Sequence, residues 1–157
     1  TKPAHPQWKR YLNKPLGFSL SYDADLGDSG PKCVPPVVFQ KSGLTGFPVV
    51  TVVCDDIPAG LKLADSEDYI VRQLAQTRGV NHIQVKSKER IRLPGGGEGN
   101  YCIIKLKYLG HNLTAYGVVG YRDKTLIGMH AVGGGLETPF AHLEHMVRSL
   151  RIEPSHP

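Results

Sequence analysis

Residues 113–121 and 126–132 carry apolar side chains on both faces of an extended pattern and are joined by Arg122-Asp123-Lys124-Thr125. A strand with one wet face alternates apolar and polar residues; one that is apolar on both faces has to be covered from each side. The two stretches therefore predict a central hairpin with a layer of structure above it and another below. A chain of 157 residues that is 40% hydrophobic has the material for this, since a domain of that length hides roughly 70% of its unfolded-chain surface. One domain over 1–157 is expected, with a Pro-rich lead at 1–7 and a short tail at 153–157.

The front half supplies complementary strands. Residues 8–12 and 16–22 flank Asn13-Lys14-Pro15, with Phe18, Leu20 and Tyr22 on one face at period two and Ser19 and Ser21 on the other. The loop at 23–31 holds Asp23, Asp25 and Asp28 without the spacing or terminal Glu of a calcium loop, so no metal is expected there. Residues 34–41 and 47–54 flank Ser42-Gly43-Leu44-Thr45-Gly46, the signature of a further hairpin. Counting outward from a turn near Leu44 brings Cys33 within about one residue of opposition to Cys54, where opposed Cβ atoms lie about 4.5–5.5 Å apart. A Cys33–Cys54 disulfide is expected in an oxidising compartment, with Cys102 left as a small buried hydrophobe. In a reducing one all three stay thiols, and their spacing fits neither a zinc site nor a redox pair.

Two helices are expected. Ala64-Asp65-Ser66-Glu67-Asp68 opens the first, with Asp65 or Ser66 as cap and acids where the helix dipole favours them; Ile70, Val71, Leu74 and Ala75 form its inner face and Gly79 ends it. In the second, Thr138 caps, Pro139 takes the first position, and Phe140, Leu143, Val147 and Leu150 recur at a buried spacing.

The chemistry on offer is a basic surface. Along 81–93, Ile83, Val85, Ser87, Glu89 and Ile91 alternate with Gln84, Lys86, Lys88, Arg90 and Arg92. With Cys102, Ile104, Leu106 and Tyr108 of the next strand turned to the core, Lys105 and Lys107 would join them in one patch of six cations. On a chain of net charge +5, Lys86, Lys88, Arg90, Arg92, Lys105 and Lys107 form a candidate binding surface for an acidic protein or an anionic layer. Specific nucleic-acid binding is not expected, because no helical reader, zinc finger or aromatic RNA-binding motif accompanies the patch.

Other leads are thinner. The loop Pro94-Gly95-Gly96-Gly97-Glu98-Gly99-Asn100 joins strand to strand without Gly-Lys-Ser/Thr, so it is a hairpin loop and not a phosphate cradle; Gly133-Gly134-Gly135 also has no lysine beside it. His142 and His145, three apart on a helix, could share a metal if His111, His82 or His130 supplied a third ligand. No nucleophile with its base and no carboxylate pair can be assembled from the sequence, so no catalytic residue and no cofactor are assigned. The longest apolar run, 47–54, is interrupted by Pro48 and Thr51 and falls far short of the ~20 residues of a membrane helix.

Gly17-Phe18-Ser19-Leu20-Ser21-Tyr22, the capped Asp65-Ser66-Glu67-Asp68-Tyr69-Ile70, Lys88-Glu89-Arg90, Gly99-Asn100-Tyr101 and the terminal Met146-Val147-Arg148-Ser149-Leu150-Arg151-Ile152, in that order, resemble the PsbP-like family over nearly the whole chain. The resemblance implies an α+β fold, an antiparallel sheet of about six or seven strands sandwiched between helices. The family spans an extrinsic photosystem II subunit, a Ran-binding nuclear-transport factor and bacterial secreted proteins or lipoproteins, so its fold does not fix a function. Together with the expected disulfide, it points to an exported, non-enzymatic bacterial binding protein, periplasmic or extracellular, with a lipid anchor upstream of Thr1 left open. An intracellular adaptor chaperone for a secretion-system effector and a metal-binding protein built on His142 and His145 are the alternatives.

Overall fold

The computed structural model describes residues 7–29, 37–40, 48–135 and 138–154. Among them, strands β1 (Trp8–Asn13), β2 (Phe18–Asp23), β3 (Gly27–Ser29), β4 (Val37–Gln40) and β5 (Val49–Asp56) lead through a 3-10 turn (Leu63–Asp65) into helix α1 (Glu67–Ala75). Strands β6 (Val80–Arg92), β7 (Glu98–Tyr108), β8 (His111–Arg122) and β9 (Thr125–Gly133) follow, then α2 (Phe140–Arg148) and the short β10 (Arg151–Ile152). Seven strands form one sheet in the order β3-β4-β5-β9-β8-β7-β6, and β1-β2-β10 form a small second sheet. Every pairing is antiparallel.

The two-sided hairpin sits where its composition requires. Val118 of β8 lies opposite Met129 of β9 on one face, and Val119 lies on the other, all fully buried. Tyr69, Ile70 and Leu74 of α1 pack on one face with Cys102, Ile104, Ala115 and Leu126. On the other face, Leu143, Met146 and Val147 of α2 and Leu150, which follows the helix, join Phe18, Leu20 and Ile152 of the small sheet over Tyr101, Ile127 and Ala131. The sheet is thus the middle layer of an α+β sandwich.

Two glycines of β8 let those layers approach. A Cβ at Gly117 would lie 3.0 Å from the Cys102 Sγ and 3.3 Å from Ile70 of α1. At Gly120, on the opposite face, it would intrude on the Ile152 side chain and come within 2.9 Å of Leu93.

Several local expectations shift. Ser66 stands at the α1 N-cap, but its backbone is already helical and its side chain makes no cap bond. The 3-10 turn runs straight into α1, so the Ser66 N–H bonds to the Leu63 carbonyl, and its hydroxyl donates to the same oxygen at 2.6 Å. Helix α1 ends at Ala75 and not near Gly79; Gly79, at φ +92, turns the chain into β6. Ala75 is exposed, and Tyr69 takes the core position instead, with its hydroxyl donating to Asp55 at 3.1 Å. Pro139 is the N-cap residue of α2, one place earlier than expected, and Thr138 provides no side-chain cap.

The expected Cys33–Cys54 bridge involves Cys33, which lies outside the described residues. Cys54 is a free, half-buried thiol opposite Ile127, and burial pushes it up to about 11. Cys102 is buried as expected, and burial pushes it up to about 12.

The close approach at Gly120 has a measurable consequence. Gly120→Ala should destabilise the protein by about 1–3 kcal/mol, the usual range for overpacking a tight core, and lower Tm by about 2–4 °C for each kcal/mol in a chain of this size. Adding Ile152→Val, which removes a methyl from the clash, should recover part of that loss in thermal denaturation; additive losses would show that the two side chains do not share this space.

Candidate functional site

Strand β6 closes one end of the large sheet and, among the described residues, pairs with β7 alone. Thirteen residues long, it is exposed almost throughout; only Val80, Ile83 and Ile91 are half-buried. Its pairing with β7 slips twice, between Asn81 and Gln84 and between Val85 and Ser87, and His82 takes a left-handed φ of +52 in the first irregularity. From Ser87 opposite Ile103 to Arg92 opposite Glu98 the register is continuous.

Directly opposed residues of antiparallel strands point to the same face, and this divides the six cations. Lys88 opposes Cys102, Arg90 opposes Asn100 and Arg92 opposes Glu98, so these three stand on the α1 side. Lys105, opposite Gln84, and Lys107 stand on the other side with Tyr101 and Ile103. Lys86 occupies the slipped position between Val85 and Ser87. The single six-cation face is therefore corrected to a row of three, a separate pair and Lys86 in the bulge. The reason is that, among the described residues, apolar contact with the layers reaches β6 only at Val80, Ile83 and Ile91, so both faces between them are wet and no apolar demand turns its cations away from the Cys102 side.

On the α1 side, Lys88 is 2.9 Å from the buried Glu67 and 3.5 Å from Asp65, and it donates to the Ala64 carbonyl at 3.1 Å. The hydrogen bond to Glu67 is the main cause holding the Lys88 ammonium above its ordinary value. Asn100 donates to Ser66 Oγ at 3.3 Å and to Glu67 at 3.5 Å, tying β7 to the start of α1. Arg90 pairs with Glu98 at 2.6 Å, both half in water. Lys86 and Arg92 have no ion pair among the described residues.

On the α2 side, Arg148 lies 4.1 Å from the Tyr101 ring centre and pairs with Glu89 at 3.2 Å and Glu144 at 3.5 Å. The Tyr101 hydroxyl donates to Glu144, and burial above all, with that hydrogen bond second, pushes its pKa up. Lys105 donates to Thr114 at 2.8 Å and sits 5.5 Å from the Phe140 ring centre, which hold its ammonium in place although it has no ion pair among the described residues. Sequence reasoning had missed the counter-ions Glu67, Glu89 and Glu98; the i, i+4 pair Glu144 and Arg148 was the one such contact whose spacing was visible.

His142 and His145 lie together, but around Trp8, with ring centroids 6.0 Å and 4.3 Å away. Among the described residues no group of three ligating side chains forms, so His111, His82 and His130 do not complete a metal site with them. His111 opens β8, and His82 lies in the β6 irregularity. His130 is buried on the α1 face between Thr51 and Gly117, and its Nδ1 has no hydrogen-bond partner among the described residues.

Burial lowers the His130 pKa from 6.5 to about 4. As pH falls, the unfolded chain takes up this proton first, so the native state loses stability from about pH 6.5 downward and the loss is complete near pH 4. The whole effect is about 3 kcal/mol. Urea unfolding at pH 7 and pH 4 should show His130→Leu losing less stability than the parent by about that amount; equal losses would mean that His130 protonates freely in the fold.

No protein-family model matches the sequence, and no curated relative matches it. Solved structures do match. Cyanobacterial PsbP (CyanoP) from Synechocystis sp. superposes with a TM-score of 0.66 at 16% identity, covering 95% of this chain and 94% of that one. The Saccharomyces cerevisiae Ran-binding protein Mog1p gives 0.66 at 9% identity over 96% and 97%. LpqN, involved in cell envelope biogenesis of Mycobacterium tuberculosis, gives 0.62 at 12% over 96% and 92%. The chain has the PsbP-like fold over nearly its whole length. No helix among the described residues is long and apolar enough to cross a membrane.

Proposed function

We propose that this chain is a non-enzymatic binding protein of PsbP-like fold that works outside the cytoplasm and engages an acidic protein or an anionic surface through β6. The observation that carries the reading is the edge that β6 leaves unpaired among the described residues. Lys86 and Arg92 stand on it without ion pairs among the described residues, and Lys88 and Arg90 are exposed beside acids that leave them partly hydrated. The exposed Arg90–Glu98 pair contributes about 0–1 kcal/mol, so a partner's carboxylates or phosphates can replace it at little cost; Lys88 stays on the buried Glu67, whose carboxylate would be costly to strand, and meets a partner with its exposed half. Mog1p is a Ran-binding protein, in keeping with a partner-binding role, and LpqN is involved in cell envelope biogenesis, in keeping with an extracytoplasmic one.

Binding of polyglutamate and of vesicles containing phosphatidylglycerol tests the reading. At least one should bind in low salt, weaken as salt rises, and be lost in the double variant Lys86→Glu, Arg92→Glu, whose Tm should stay close to the parent's because both side chains are exposed. Failure of both probes, or unchanged binding by the variant, removes the function from β6.

The compartment has its own test. Cys54 is a free thiol in this structure, and if the chain matures in an oxidising space, protein alkylated in denaturant without reductant from its native cells should be two protons light with only Cys102 modified, the mark of a Cys33–Cys54 bridge. Three alkylated cysteines would favour the intracellular adaptor.

A further inference from the structure

The same edge has a backbone as well as charges, and its charge pattern selects what can pair with it. We infer that β6 accepts an extended acidic segment of another protein as an added strand over Ser87–Arg92, with carboxylates at alternate positions facing Lys88, Arg90 and Arg92. This rests on the binding reading above and names the chemistry of the partner.

Since β6 pairs with β7 alone among the described residues, every second residue of its regular stretch turns its N–H and C=O away from the sheet. That is the template on which an extended chain can add a strand. The two slips and the left-handed His82 are confined to the stretch before Ser87, leaving 87–92 in unbroken register. Six residues make a strand of ordinary length, about 20 Å.

The second copy of this chain is the first occupant to consider, and the charges reject it. When two identical strands extend one sheet antiparallel about a two-fold axis, opposed side chains must share a face. Odd-numbered residues then meet only odd-numbered ones, and even only even. Lys88, Arg90 and Arg92 are all even-numbered and all on the α1 side, so every symmetric register within this stretch sets cation against cation. Like charges directly opposed are destabilising. Apolar strands are deterred too, because an added strand would place its side chains beside three charged ones. A strand carrying Glu or Asp at positions i, i+2 and i+4 reverses this: one carboxylate meets Arg92, which has no ion pair among the described residues, one displaces the exposed Glu98 from Arg90, and one shares Lys88 with Glu67. On its other face it would meet Ser87, Glu89 and Ile91, where small, apolar or basic side chains fit and acids do not.

Three synthetic peptides of one composition and length separate strand addition from simple charge attraction. The first alternates Glu with Thr and Val, the second gathers the same Glu residues in one block, and the third repeats the first with two backbone amides N-methylated. Titration of the whole chain should show the alternating peptide binding at least about tenfold more tightly than either control, since N-methylation removes backbone hydrogen bonds without touching charge. Amide exchange should slow within 87–92 when it binds. Equal binding by all three, or binding of phosphatidylglycerol vesicles with none of the peptides, overturns strand addition while leaving β6 as a charged docking surface. If neither peptides nor vesicles bind, the functional reading falls along with the inference.

Discussion

Helix α1 and strand β10 reach the same strand from opposite sides, and each does so at a glycine. Ile70 packs where Gly117 has no side chain, and Ile152 packs where Gly120 has none. The apolar residues of β8 and β9 need water removed from both faces, and a close-packed interior tolerates little error in the spacing of the layers that do so. With larger residues at these positions the helix or the small sheet would stand off and Val118, Val119, Ile127 and Met129 would lose contacts. Much of the rest of the chain provides this cover: β1, β2, α2 and β10 on one side, the 3-10 turn and α1 on the other.

Cover of that kind is finite. Each layer is centred on β8 and β9, and β6 is reached only in places: Asp65 and Glu67 meet Lys88 and the α1 cluster touches Val80 and Ile83 on one side, and Arg148 meets Glu89 and the α2 cluster touches Ile91 on the other. The edge strand is therefore wet on both faces while still hydrogen-bonded along its inner side. Charge on such a strand discourages unwanted pairing, which accounts structurally for a dense row of lysine and arginine. On the proposed reading the same row would also give the edge a preference among partners, so that protection and recognition draw on one set of residues.

Most of the layered fold was legible in the sequence because its signals are apolar periodicities. The two-sided pattern of 113–132, the alternation of Phe18 and Leu20 and the helical spacing of Leu143 and Val147 each follow from burial, and each element formed with its inner face nearly as read; Leu150 is buried as expected but lies past the end of α2. The basic site was legible only in composition. Whether Lys105 shares a face with Lys88 depends on register, and register on β6 is set by two slips and a glycine-rich loop, none of which the hydrophobic pattern constrains. Counter-ions were harder still: Glu67 and Lys88 are neighbours across α1 and β6, and their sequence separation carries no trace of it.

The division of the cations also alters what kind of partner suits the site. Six charges on one face would make a broad plate, well matched to the plane of a charged membrane. Two of the six, Lys105 and Lys107, instead face the α2 side, and Lys105 is held by Thr114 and the Phe140 ring. What remains toward α1 is a row along a single strand, with side chains repeating every two residues, about 7 Å apart. A flat array of phosphates meets such a row only at its rim, whereas a second extended chain has the same repeat and can answer each charge in turn while its backbone meets the free edge.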